Sequence, residues 1–173
     1  MVRRMLGKSL TAALSALAFV LGGCGVDVRA DAANGVAKFL DAVRRGDQPA
    51  FEAALDRPAL RSDLRDQLTA LGRANGVDVN GGPSDFALDR MITPEAFRLV
   101  EARTGQALPI APTAAQVALS MAVRDPNHAC VQDPGKARCL LSFAKENGVW
   151  RLVGMPATDL KIEVLPEPSK KRP

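Results

Sequence analysis

The side chains able to do chemistry are few: three cysteines, Cys24, Cys130 and Cys139, one histidine, His128, and the carboxylate pairs Asp63 with Asp66 and Asp85 with Asp89. A Ser-His-Asp or Cys-His nucleophile system has to use His128, and no strand–turn–helix nucleophile elbow surrounds any serine or cysteine. Three zinc ligands could come from His128, Cys130 and Cys139, but zinc needs thiolates, and in an oxidising compartment paired cysteines bond to each other. Each carboxylate pair falls at helical spacing, as an acid and base would. Each also lies beside an arginine, Arg65 or Arg90, and a solvated helix face explains both pairs equally well. The run "NGVDVNGG" has glycines but lacks the lysine and the strand-to-helix setting of a phosphate loop. The inventory implies no catalytic constellation, no metal and no cofactor.

Cys24 answers to its leader. Arg3, Arg4 and Lys8 form a basic start without an acid in residues 1–23, and residues 10–23 carry no charge. That composition is an export signal. A helix of those 14 residues reaches about 21 Å, short of a bilayer's hydrocarbon core of about 30 Å, so a retained anchor is disfavoured. Leu21-Gly22-Gly23-Cys24 resembles the lipobox of bacterial lipoproteins, with Gly22 where Ala, Ser or Thr is commoner. The resemblance implies removal of residues 1–23 and acylation of Cys24 with two or three chains such as palmitate. Gly25 stands where aspartate would favour inner-membrane retention, which implies the outer membrane and its periplasmic leaflet.

Losing the leader removes three of 23 basic residues and leaves 20 against 19 acids. Three more, Lys170, Lys171 and Arg172, lie in the last five residues, so residues 24–168 carry 17 against 19. A nucleic-acid binder needs a basic face on the fold, usually with stacking aromatics, and the mature chain offers no Tyr, one Trp and five Phe. Nucleic acid is therefore excluded as an expected partner. The expected organisation is a signal peptide over residues 1–23, a tether over 24–33, one domain over 34–165 and a basic tail over 166–173.

Periodicity predicts α+β. Val36, Phe39, Leu40 and Val43 mark a helix stopped by Gly46; Asp47 caps a short helix with Phe51 and Leu55. Leu60, Leu64, Leu68 and Leu71 mark a third, and Thr93 with Pro94 opens a fourth that ends at Gly105. From Val117 the apolar period shortens to two, through Leu119, Met121 and Val123. Asn147-Gly148 is a strong hairpin signal that sets Phe143 opposite Leu152 and Lys145 opposite Trp150. A four-residue loop over 133–136 sets Cys130 opposite Cys139, and Val123 pairs with Cys130. One face then collects Leu119, Met121, Val123, Cys130, Cys139, Leu141, Phe143, Trp150 and Leu152, with His128 opposite Leu141. A fifth strand runs through Leu160, Ile162 and Val164. The expected fold is N-terminal helices, about four, packed on one face of a C-terminal antiparallel meander sheet of four to five strands.

With Cys24 taken by lipid, Cys130 and Cys139 are the thiols left in an oxidising compartment, and opposed positions of a hairpin lie within disulfide reach. No CxxC spacing marks the pair as a redox centre, so the expected role is a staple.

The blocks "FLDAVRRGD", "LDRPALRSDLRDQL", "LDRMITPEAF" and "VWRLVGM" resemble the bacterial domain of unknown function 2939 family over residues 35–160. The matching positions are Gly46, Asp47, Asp56, Pro58, Leu60, Arg61, Leu64, Leu68, Leu88, Thr93, Pro94, Trp150, Arg151 and Leu152. Arg57 departs from the aromatic expected before the proline, and the cysteine pair lies outside the pattern. The family implies a membrane-directing N-terminus and no activity. "AVRRGDQPAFEAALD" also resembles the opening helices of NTF2-like cones, an alternative fold.

Two functions follow from this reading. One is a lipid-anchored, non-catalytic module binding envelope components. The other is a small-ligand pocket, with a hydrolase as its remoter extension, gated by loops 75–84 and 106–113. A deep cavity lined by Trp150, Phe143 and a charged group favours the second, a filled core the first.

Overall fold

Helical spacing of apolar residues is realised first in α1 (Gly23–Arg45), which buries Val36, Phe39, Leu40 and Val43 along one face. The computed structural model describes residues 23–77, 81–133, 138–158 and 160–166, with side chains from residue 28 on. Gly46, at φ 61°, ends α1. Its N–H reaches Val43 O at 3.1 Å and that of Asp47 reaches Ala42 O at 3.0 Å, the paired bonds of a Schellman cap. Asp47 then caps α2 (Gln48–Ala53), and Asp56 caps α3 (Arg57–Ala74) by accepting from Ala59 N at 3.0 Å. Leu60 and Leu64 of α3 are buried, but Leu71 is 49% exposed. One turn earlier, Gln67 donates to Met155 O at 2.8 Å and accepts from Ala157 N at 3.0 Å. A short α4 (Asp85–Asp89) packs on α3.

Strands β2 (Met121–Asp125), β3 (His128–Gln132), β4 (Cys139–Glu146) and β5 (Val149–Gly154) form an antiparallel meander in that order. Asn147 and Gly148, at φ 50° and 79°, make the β4–β5 turn, and Phe143 pairs with Leu152 and Lys145 with Trp150, as the turn chemistry predicts. The inward face carries Met121, Ala129, Val131, Leu141, Phe143, Trp150 and Leu152, and α1 and α3 cover it. Phe39 links the layers, with its ring centroid 5.7, 5.4 and 5.6 Å from those of Phe51, Phe97 and Phe143. The fold is thus α+β, N-terminal helices on a C-terminal four-stranded antiparallel sheet.

Several expectations are corrected. Residues 24–33 are helical, and Ala32 and Ala33 are fully buried, so the segment read as a tether is largely the first turns of a core helix. Residues 93–105 hold no α-helix: Pro94–Ala96 is one 3-10 turn, and β1 (Arg98–Glu101) follows. Strand β1 owes its existence to β6 (Lys161–Val164), more than 50 residues away, which pairs with it in parallel. The alternation of Ile162 and Val164 is real, but β6 belongs to this separate pair, outside the meander. Val117 and Leu119 lie on α5 (Ala114–Leu119), where Thr113 and Gln116 form a capping box, and Leu119 is 50% exposed. The capping box is legible as T-x-x-Q, and it outweighs the short alternation.

Register is corrected too. A bulge leaves Arg124 out of the β2–β3 ladder, so Val123 pairs with Ala129 and Cys130 with Ala122. That one-residue slip turns Cys130 and His128 away from the core face. Across β3–β4, His128 pairs with Ala144, Cys130 with Ser142 and Val131 with Leu141, but Gln132 with Cys139. The ladder skips Leu140, so Cys139 changes face and joins Cys130 on the outer side. The residues expected to form the loop, 133–136, lie mostly outside the described residues, as do the leader before Gly23 and the tail beyond Pro166.

Candidate functional site

Cys130 and Cys139 are joined by a disulfide, with Cα atoms 5.6 Å apart. They are diagonal neighbours, brought together by the Leu140 bulge, whereas direct opposition was expected. Cys130 is buried and Cys139 half-buried. A cation stands beside them: the Arg124 guanidinium donates to Cys139 Sγ at 3.1 Å. This contact is not legible in the sequence, because Arg124 is 15 residues away and arrives through the strand pairing. With both sulfurs bonded to each other, the His128–Cys130–Cys139 zinc set is not assembled. His128 is exposed, with Nδ1 2.8 Å from Asp125 Oδ2. Asp125 is held below the ordinary carboxylate range chiefly by the Asn127 N–H, with His128 adding to it.

The carboxylate pairs resolve into ion pairs and turns. Asp89 accepts two bonds from Arg61, Nε at 2.8 Å and Nη2 at 2.6 Å, and one from Arg57 Nη1 at 3.1 Å. Arg57 also clasps Glu52, and Arg65 pairs with Asp85. The result is an alternating ladder, Glu52–Arg57–Asp89–Arg61–Asp85–Arg65, that straps α2 and α4 to α3. Arg90, expected beside these carboxylates, lies over the Phe86 ring at 6.0 Å. Hydrogen bonds from Arg61 foremost, and from Arg57, hold the Asp89 carboxyl low; Arg57 does the same for Glu52. Carboxylates clamped in this way serve poorly as proton acceptors near neutrality. Asp63 accepts from Met155 N at 3.0 Å and Gln67 Nε2 at 2.9 Å, fastening α3 to the end of β5, while Asp66 is exposed. The two do not converge.

Trp150 lines a groove of about 400 Å³ with Phe39, Ala53, Asn34, Lys38 and Asp31. Phe143, expected to share it, is 1% exposed inside the aromatic cluster. Asp31 Oδ2 accepts from Lys145 Nζ at 2.7 Å and Trp150 Nε1 at 2.8 Å, and the Lys145 bond is the main reason its carboxyl is held low. Asp31 escaped the sequence reading because it sat in the expected tether. A larger cleft, about 590 Å³, opens between the end of α1 and β1 and is lined by Arg44, Arg45, Glu95, Phe97 and Leu108. Ala107 and Leu108 of the 106–113 linker border this cleft rather than the Trp150 groove. Gly82 of the other expected gate lies against Arg65 and Thr69 of α3.

Cys24 falls in the first turn of α1, with its side chain outside the described residues. Among the described residues no helix is long and apolar enough to cross a membrane, and none of their His, Cys, Asp and Glu side chains gather in a group of three able to hold a metal ion. Comparison with protein-family models, curated proteins and solved structures finds no match for this chain.

Proposed function

We propose that the chain is a lipid-anchored protein of the bacterial envelope, held by acylated Cys24 at the outer membrane and facing the periplasm, where it works as a non-catalytic binding or structural module. The observation that carries the binding half is the filled interior. Phe39, Phe51, Phe97 and Phe143 pack between the helices and the sheet, so among the described residues the interior is filled and the clefts lie at the surface. The basic, then uncharged leader and the lipobox-like run Leu21 to Cys24 support the anchor, and the disulfide fits an oxidising compartment. Ala32, fully buried, follows Cys24 by eight positions. A lipid on Cys24 is therefore separated from the core by about 12 Å of helix.

The test is fractionation with intact-mass measurement. The wild-type protein is expected in the membrane fraction with an acylated N-terminal Cys24, and Cys24→Ser in the soluble one. A wild-type mass without acyl chains, together with membrane-bound Cys24→Ser, refutes the anchor. Crosslinking in intact envelopes then identifies the bound component.

The Trp150 groove favours a second reading, a small-ligand site, because its volume falls in the range of such sites. Trp150 is the one tryptophan, so quenching or a spectral shift of its fluorescence reports occupancy directly. Small apolar acids that leave its emission unchanged at millimolar concentration argue against this reading.

A further inference from the structure

The two sulfurs of the Cys130–Cys139 bridge occupy unlike surroundings. Cys130 is 1% exposed. Cys139 lies half-buried on a cleft of about 430 Å³ that Asp63, Gln67, Arg138 and Met155 also line. Arg124 Nη2 stands 3.1 Å from Cys139 Sγ and is itself exposed. A neutral disulfide sulfur gains little from a guanidinium, whereas a thiolate in the same place gains a charge-assisted hydrogen bond. The cation is therefore positioned for the reduced state, and at one sulfur of the two.

We infer that Cys130 and Cys139 form a thiol–disulfide exchange site in which Cys139 is the sulfur attacked, Cys130 the leaving one and Arg124 the group that stabilises the Cys139 thiolate; its substrate is a dithiol of a partner protein. This goes beyond the proposed envelope function and does not depend on it. A thiolate of the partner attacks Sγ of Cys139, the less buried of the two cysteines, and a partner–Cys139 bond forms as the Cys139–Cys130 bond breaks. The electron pair goes to Cys130, which takes up a proton. The partner's second thiol, deprotonated, attacks the partner sulfur of the mixed disulfide, closes the partner's own disulfide and releases Cys139 as a thiolate against Arg124. Two electrons pass from the partner, which is oxidised, to the Cys130–Cys139 pair, which is reduced. Of the partner's two protons, one rests on Cys130 and one enters solvent. Because Arg124 favours the reduced form, the pair is easier to reduce than a bridge without a cation.

Two measurements on the full chain test this. In the first, the oxidised protein is treated with reduced glutathione, quenched in acid and mapped by peptide mass without reduction. The adduct is expected on Cys139; an adduct on Cys130, or none, overturns the assignment. In the second, the protein is reduced with dithiothreitol and the iodoacetamide alkylation rate of each cysteine is followed against pH. The Cys139 profile is expected to turn over about one unit below the ordinary thiol value of about 8.5. Arg124→Ala returns it to the ordinary value, and Arg124→Lys, which restores a cation, keeps most of the displacement. Arg124→Gln serves in place of Arg124→Ala where circular dichroism shows that variant unfolded. A Cys139 profile that is the same with and without the cation refutes the role of Arg124.

Discussion

Gly35→Ala sets two effects of known size against each other on α1. In an exposed helix the exchange stabilises by about 1 kcal/mol, because glycine loses more backbone freedom on folding than alanine does. Here an added Cβ would stand 2.7 Å from Trp150 Cβ and 3.0 Å from two of its ring atoms. Ordinary carbon contacts are about 3.5 Å or longer, so the two surfaces must part by about 0.8 Å. Trp150 cannot rotate out of the way, since its own Cβ is fixed to the backbone of β5. Relief has to move α1 off the sheet, which stretches the 2.8 Å bond from Trp150 Nε1 to Asp31 and the Phe39–Phe143 contact together. Overpacking of a filled core costs about 1–3 kcal/mol; a 2.7 Å contact between two Cβ atoms belongs at the severe end, about 2–3 kcal/mol, and with the helical gain of about 1 kcal/mol subtracted the net loss is about 1–2 kcal/mol. Urea unfolding followed by Trp150 fluorescence reads it as a midpoint lowered by about 0.5–1 M at unchanged slope. A midpoint that stays or rises shows that α1 and β5 do not meet as closely as this packing requires.

Three further outcomes follow from the same structure. Cys130→Ser combined with Cys139→Ser opens a loop of about ten residues and should cost about 2.7 kcal/mol on the chain-entropy account, read by the same urea titration; a loss below about 1 kcal/mol means the bridge does little for stability. Thr113→Ala removes the N-cap of α5 and its capping box and should cost about 1 kcal/mol, with urea midpoints for Thr113→Ser close to those of the wild type. Asp31, Glu52 and Asp89 all have carboxyls held below their ordinary values of 3.8, 4.5 and 3.8, Asp31 chiefly by Lys145, Glu52 by Arg57 and Asp89 by Arg61. Depressed carboxyls bind fewer protons folded than unfolded, so their contribution is complete above those ordinary values and is lost as pH falls through the depressed ones. Unfolding midpoints should be level above about pH 5 and decline below it, less steeply in Asp31→Asn; equal slopes in the two proteins would remove Asp31 from the account.

The parts of the fold legible in the sequence are those fixed by neighbours along the chain. Gly46 and Asp47 announce the end of one helix and the start of the next, and the structure uses both in a Schellman cap and an N-cap. Asn147-Gly148 supplies the positive φ angles of a tight hairpin and sets the β4–β5 register from Glu146–Val149 to Phe143–Leu152, beyond which a bulge at Val153 shifts it. The parts that were illegible depend on partners far away. Four residues, Arg98 to Glu101, carry too little pattern to be a strand by themselves; β6 makes them one. The segment 24–33 looked like a tether because it is small and polar, yet small residues are what let α1 approach the sheet, as buried Ala32 and Ala33 do.

The cysteine pair shows why a correct pairing can rest on a wrong register. Loop lengths counted from the sequence placed Cys130 and Cys139 opposite each other and on the core face. Alternation cannot reveal a bulge, because a skipped residue leaves the pattern intact on either side of it. Two bulges bear on the cysteines, at Arg124 in β2 and at Leu140 in β4, and a third, at Val153 in β5, shifts the β4–β5 ladder beyond Phe143. Without the second, Cys139 would share the inward face of Leu141 and Phe143, with Cys130 on the outer one, and no bridge could close. With it, both sulfurs come to the outer face, and Arg124, beside the first bulge, reaches Cys139 there. The same two irregularities that defeated the register therefore bring a cation to a sulfur. A staple needs only the distance between the cysteines; the unequal exposure of the sulfurs and the guanidinium at one of them are what a site for thiol exchange requires in addition.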